Sequence, residues 1–362
     1  MGGVEKRPFR LLRPLVPRES DLLMTSTTQP GIRRLAWIAA AFALLVIVFG
    51  AFVRLSNAGL SCPDWPTCYG EITWPTHAHD IASANAAFPD RPVESDKAWR
   101  EQVHRILVGG LGLLTFALAG WAWWRRRELG GLALVPIAAA ALIFFQAALG
   151  AWTVSMKLLP AVVTAHLLGG MAMFALLGYT ALRLSVAPVA TDAYFAEAQR
   201  RKLRRLTIVG IGLVAMQIAL GGWTSTNYAA LACGLDFPSC LGQIWPQADF
   251  GQAFVLWRGI GVNYEGGVLD GSARIAIQLV HRIGAVLVFT HIAFAVVARG
   301  VRYAQTRSLA ILVALALLLQ IALGIANVEL GLPLTVATAH NGGAALLLFA
   351  LLALLVRVRR SL

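Results

Sequence analysis

Apolar residues along this chain come in eight long runs, over residues 35–53, 106–124, 132–154, 161–182, 206–224, 275–297, 309–328 and 334–356. About 20 apolar residues in a helix are needed to cross the hydrocarbon core of a bilayer, and every run is of that order. The pattern predicts an all-α integral membrane protein with eight transmembrane helices. Composition agrees: 58% of the 362 residues are hydrophobic and 14% are charged, against about 25% charged in soluble domains. A water-soluble enzyme is excluded.

The charges then orient the spans. Lys and Arg number 31 against 18 Asp and Glu, a net charge of +13. Of the 31, 22 lie before the first run, between runs two and three, between four and five, between six and seven, or after the last. Basic residues concentrate on the cytoplasmic side, so both termini are expected in the cytoplasm, with the long loops 54–99 and 225–273 facing outward. The same placement between apolar runs, not on one polar face, argues against nucleic acid as a partner. The Arg-rich start also carries Glu5, Glu19 and Asp21 and leads into a full-length span. That fits neither a cleaved signal peptide nor an organelle transit peptide, and favours a multi-pass protein of the bacterial plasma (inner) membrane. Residues 1–32 read as a disordered cytoplasmic tail.

The chain is a duplication. LSCPDWPTCYG at 60–70 is answered by LACGLDFPSCLG at 231–242, His104-Arg105 by His281-Arg282, QAALG at 146–150 by QIALG at 320–324, and Thr-Ala-His ending at His166 by the same triplet ending at His340. Five markers in one order, with the two cysteines of the loop counted singly, divide the chain into a four-helix repeat over 33–184, a linker over 185–204 and a second repeat over 205–362. Each repeat has an even number of spans, so both insert the same way up. The expectation is two tandem four-helix bundles related by pseudo-twofold symmetry along the membrane normal.

Four of the seven histidines are repeat-paired, His104 with His281 and His166 with His340. All four fall in the first turns of helices entering from the outer side, so each half holds two at one depth. Ionisable groups inside a bilayer are costly and read first as functional. Zinc usually takes three or four ligands, and neither pair has further ligands nearby in sequence. A haem needs axial ligands alone, which two histidines on different helices supply. Gly169, Gly170, Gly342 and Gly343 would leave room for a flat macrocycle. Arg105 and Arg282 beside the ligands suit haem propionates, or simply snorkel to the interface.

The halves differ at one position. Glu101 precedes His104 by three residues, and Gln278 holds the matching place before His281. Residues at i and i+3 share a helix face, so a carboxylate is expected beside the first site and nothing ionisable beside the second. That suits acid–base work or stabilisation of a cation. Cys62, Cys68, Cys233 and Cys240 fall as two pairs in outward loops, where disulfides persist; copper binding and thiol exchange are the alternatives. His77 and His79 read as solvated, His291 as core, and Trp65, Trp74, Trp223 and Trp245 as interface anchors.

The E-x-x-H-R motif of Glu101 to Arg105, its H-R counterpart at His281, the paired T-A-H segments and the Cys loop after the first span resemble haem A synthase over nearly the whole chain from residue 33 onward. The resemblance implies an eight-span oxidoreductase that converts a methyl group of haem O to the formyl group of haem A by successive oxidations, for supply to terminal oxidases. It implies that His104 and His166 ligate the substrate haem O, that Glu101 is catalytic, and that His281 and His340 hold a haem b cofactor whose iron passes electrons. Haem O synthase, terminal oxidase assembly proteins, an electron donor, membrane lipid and a second copy of the chain are the expected partners. A di-haem cytochrome b carrier and a haem-binding assembly factor are the rival readings; neither explains why one half alone has Glu101.

Overall fold

The computed structural model describes residues 30–185 and 197–359. Among the described residues, eight helices are long and apolar enough to cross a membrane: α1 (Pro30–Leu55), α2 (Ser95–Trp124), α3 (Leu134–Ser155), α4 (Pro160–Arg183), α5 (Glu197–Thr226), α6 (Gly271–Gly300), α7 (Ala304–Glu329) and α8 (Leu334–Val358). The chain is an all-helical, multi-pass membrane protein, as the apolar runs predict. The expected disordered tail lies outside the described residues, apart from 30–32, which are helical.

Several helices outrun their apolar cores. Residues 197–204, expected in the linker, form the start of α5; Lys and Arg are good helix formers, and Glu197 pairs with Arg200 and Arg201 one turn on. Likewise α2 begins at Ser95, well before the apolar run at 106, with ion pairs from Lys97 to Glu94 and Arg100 to Asp96 on its polar turns. A hydropathy criterion senses the membrane-crossing part and not the helix.

Helices α1 to α4 pack in a ring, each on the next and α4 back on α1, and α5 to α8 do the same. The rings meet where α8 touches α1 and α4, and where α4 touches α5. Exchanging the halves maps these contacts onto themselves. Burial follows: 61% of the α8 span is enclosed against 17% for α7, so α8 is the central helix and α7 faces lipid. Without a hydrophobic drive between helices in lipid, close packing of small residues holds such contacts. A Cβ at Gly222 of α5 would stand 2.9 Å from Leu167 of α4, and one at Gly342 of α8 would stand 3.1 Å from Val48 of α1.

The two cysteine loops fold alike. Disulfides join Cys62 to Cys68 and Cys233 to Cys240, which removes copper binding and free thiols from the reading of this state. In each loop the second cysteine pairs with the residue three further on in an isolated bridge. In each, too, an aspartate accepts from a glycine amide, Asp64 from Gly70 and Asp236 from Gly242. Those glycines have φ of +81° and +74°, the left-handed conformation that glycine adopts without a Cβ penalty. Trp223, expected at the interface, is instead buried, its indole N–H donating to the Ala253 carbonyl at 2.9 Å. Trp65 and Trp245 are exposed and Trp74 packs beneath the first loop.

Candidate functional site

Helices α2, α4, α6 and α8 start at the end of the molecule that carries the disulfide loops, and each brings one histidine there within its first few turns. The four rings are half-buried. His104 lies within electrostatic reach of His166, and His281 of His340. The structure thus assembles the two pairs that the repeat predicted.

Each ring faces a glycine of a neighbouring helix. A Cβ at Gly50 would meet His104 Cε1 at 2.8 Å, at Gly221 His281 Cε1 at 3.2 Å, at Gly324 His340 Cε1 at 3.1 Å, and at Gly150 His166 Cε1 at 3.6 Å. These glycines were not among the residues expected to matter. Gly50 and Gly221, like Gly150 and Gly324, hold matching places in the two repeats, which is the signal that could have found them. The expected roles of Gly169 and Gly343 change. A Cβ at either would fall on a glutamine side chain, Gln146 or Gln320, so their space holds protein and not an open slot.

The ring nitrogens are mostly unclaimed. Nδ1 of His104, His166 and His340 is buried with no hydrogen-bond partner, an unusual state for enclosed polar atoms. Two rings have a nitrogen partner: His281 Nδ1 lies 3.1 Å from Gln217 Nε2, and His340 Nε2 lies 3.4 Å from Gln320 Nε2. Among the described residues, no cluster of three or more His, Cys, Asp or Glu could hold a metal ion by itself. Paired imidazoles, three of the four with an unclaimed buried Nδ1 and all set against glycines, fit a group that brings its own equatorial ligands, as haem does.

Glu101 is buried, 5% exposed. It accepts hydrogen bonds from Arg105 at 2.6 Å and from the Ser61 hydroxyl and Cys62 amide at 3.2 Å each. Arg105 also donates to the carbonyls of Asp64 and Thr67 at 2.7 and 2.5 Å. The carboxylate, the guanidinium and the first disulfide loop therefore form one connected unit. In the second half Arg282 grips the carbonyls of Asp236 and Ser239 at 2.8 and 2.7 Å, while Gln278 is buried with its Oε1 unpaired. Both arginines clamp their loops in this state. The remaining histidines stand apart. His77 and His79 are exposed on the first loop, and His291 of α6 bonds the Leu206 carbonyl of α5 at 2.9 Å, a satisfied core histidine as expected.

Fold and site define a class: an eight-helix membrane protein with a duplicated pair of half-buried histidines, one pair beside a carboxylate. The COX15-CtaA family, described as cytochrome oxidase assembly protein, matches residues 33–352. Haem A synthase of Shewanella oneidensis is 42% identical over 321 residues, covering 88% of this chain and 94% of that one. Haem A synthase of Caulobacter vibrioides is 30% identical over 348 residues, 90% and 95% of the two chains. The chain belongs to this family.

Proposed function

We propose that the chain is a haem A synthase, a membrane oxidoreductase that converts the methyl group of haem O to the formyl group of haem A. The observation that carries the reading is the asymmetry between the halves: the buried Glu101 carboxylate next to the first histidine pair, and the neutral Gln278 in its place next to the second. A carrier that only binds haem has no use for that carboxylate; a catalyst does.

On this reading His104 and His166 hold haem O, and His281 and His340 hold haem b. Bound in these places, the two groups supply the reacting methyl carbon and a relay for electrons. The chain's own part is positional. Glycines at 50 and 221 let the rings of α2 and α6 sit close to α1 and α5. Glu101, fixed by three donors, offers an acceptor for a proton or a partner for positive charge at the first site. Arg105 ties that carboxylate to the loop closed by Cys62 and Cys68, which covers the end of the bundle.

We infer further that both termini lie in the cytoplasm of a bacterium and the disulfide loops lie outside its plasma membrane, from the basic residues at the opposite helix ends. Haem O synthase, terminal oxidase assembly proteins and an electron donor are the partners this role requires. The test is expression in membranes supplied with haem O, acid extraction, and mass analysis of the released haems. A product with the mass of the formyl derivative or its hydroxymethyl precursor supports the enzyme; unchanged haem O beside bound haem b rejects it. Glu101→Gln is expected to abolish product while leaving haem bound.

A further inference from the structure

We propose that Gln217 fixes the His281 ring and makes the second site retain its haem while the first exchanges; this rests on the reading above that each half binds haem between its two histidines. Gln217 Nε2 donates to the His281 carbonyl at 2.9 Å and lies 3.1 Å from the ring Nδ1 of the same residue. Its Oε1 is buried with no hydrogen-bond partner. The side chain occupies space left by Gly284, one turn beyond His281, where a Cβ would stand 2.2 Å from Oε1. Amide, ring and glycine make a fitted set.

The first half lacks this set. Gly50 and Gly221 face equivalent rings, so α1 and α5 align at an offset of 171, which puts Val46 opposite Gln217. His104 and His281 align at 177, which puts Leu107 opposite Gly284. Val46 and Leu107 belong to the apolar core, and Nδ1 of His104 is buried without a partner. Two positions have changed together, an amide with room for it against two aliphatic side chains. Gln146 and Gln320 occur in both halves and cannot discriminate between them.

A neutral imidazole that binds iron through one nitrogen carries its proton on the other and needs an acceptor there. A primary amide has donor and acceptor on one carbon, and Gln217 Oε1 has no competing partner. Turning the terminal amide brings Oε1 to the ring Nδ1–H in exchange for the Nε2 bond to the His281 carbonyl; the ring is then held and made more basic. His104 has nothing comparable, so its bond to iron is the weaker. A substrate that must leave and a cofactor that must stay require that difference.

The experiment uses the full-length protein loaded with haem b and measures transfer to excess apomyoglobin, with His104→Ala and His281→Ala assigning the fast and slow phases to the first and second sites. Gln217→Leu is expected to accelerate the slow phase by about 10- to 100-fold, the usual cost of losing such a partner, to raise the midpoint potential of the retained haem, and to leave the fast phase alone. That unchanged fast phase shows the variant is folded. Gln217→Glu keeps an acceptor and is expected to preserve slow release with a lowered potential, which a packing role would not produce. Val46→Gln with Leu107→Gly is expected to slow the fast phase. If Gln217→Leu holds haem with unaltered release and potential, the proposal is wrong. If neither histidine variant alters any phase, the assignment of the sites is wrong, and the proposal falls with it.

Discussion

Four glycines set against four imidazoles give the residue scale its sharpest prediction, because the gaps are unequal. A Cβ at Gly50 would lie 2.8 Å from His104 Cε1, closer than real Cβ atoms come, and 3.2 Å from Nε2, tighter than most. At Gly150 the nearest ring atom of His166 is 3.6 Å away, ordinary contact. Gly50→Ala must therefore turn the His104 ring or part α1 from α2, at the cost of about 1–3 kcal/mol typical of overpacking. Gly150→Ala should leave His166 where it is. The absorption and paramagnetic resonance spectra of haem loaded into the two variants check this: a changed first-site signal is expected for Gly50→Ala and a wild-type one for Gly150→Ala. Equal perturbation by both would show that the rings do not rest on these glycines. At this scale the sequence was legible where chemistry is rare. Four histidines and a glutamate inside apolar runs stand out; Gly50, Gln217 and Gly284 do not, since glycine and glutamine are tolerated in membrane helices for many reasons. Their signal lay in the comparison of the repeats, where Gln217 faces Val46 and Gly284 faces Leu107.

At the scale of elements, the first disulfide loop is a small folded unit whose charge is its weak point. Burial by itself would raise the Asp64 carboxyl, but hydrogen bonds from the Thr67 hydroxyl and the Gly70 and Tyr69 amides outweigh it and hold Asp64 below the ordinary value. A carboxylate with a depressed folded pKa stabilises the loop above its unfolded pKa of about 3.9, and that contribution is lost as pH falls through the lower folded value. Cys62 and Cys68 are fully enclosed, so their reduction requires the loop to open, and its rate reports local stability. Asp64→Asn is expected to be reduced several-fold faster than wild type by a phosphine reductant at pH 6. The gap should narrow as pH falls below the ordinary carboxylate value and close below the lowered folded value, where the wild-type carboxylate is also protonated. A gap that stays constant across that range would mean the carboxylate's charge contributes nothing. The existence of the eight helices was readable from hydropathy, because length and apolarity are what a bilayer selects. Their ends were not: the charged turns that begin α2 and α5 are held by local ion pairs outside the apolar runs.

The whole molecule is tied together by contacts that cross between its halves, and none of them was visible in either repeat alone. Arg54 at the end of α1 donates to the Ser225 carbonyl at 3.0 Å, in the last turn of α5, and to the Tyr228 hydroxyl at 3.2 Å, just beyond it. A longer reach comes from the loop before α6. Tyr264 is 1% exposed and packs with Leu60, Leu149, Leu158, Leu159 and Val162, all from the first half. Its amide donates to the Lys157 carbonyl at 3.0 Å and its hydroxyl to the Gly259 carbonyl at 2.9 Å, and its neighbour Glu265 pairs with Arg91 of the first loop at 3.6 Å. The second half thus straps the end of the first, the end where Leu60 leads into the disulfide loop that Glu101 holds. The ion pair is partly exposed and contributes little; the aromatic ring is the anchor. Removing a buried ring of this size costs about 3–5 kcal/mol, far more than the rest of the strap supplies, so Tyr264→Ala should release residues 259–268 while the helices stay folded. Amide hydrogen exchange in detergent checks it. Faster exchange is expected in 259–268 and, through the shared contacts, at 156–160, with α8 at the centre of the molecule unchanged. On the proposed reading, haem held between His281 and His340 is expected to stay as before while haem held between His104 and His166 is lost sooner, since Tyr264 packs on residues of the first half. Equal acceleration throughout the chain would instead make Tyr264 an ordinary member of a single cooperative core.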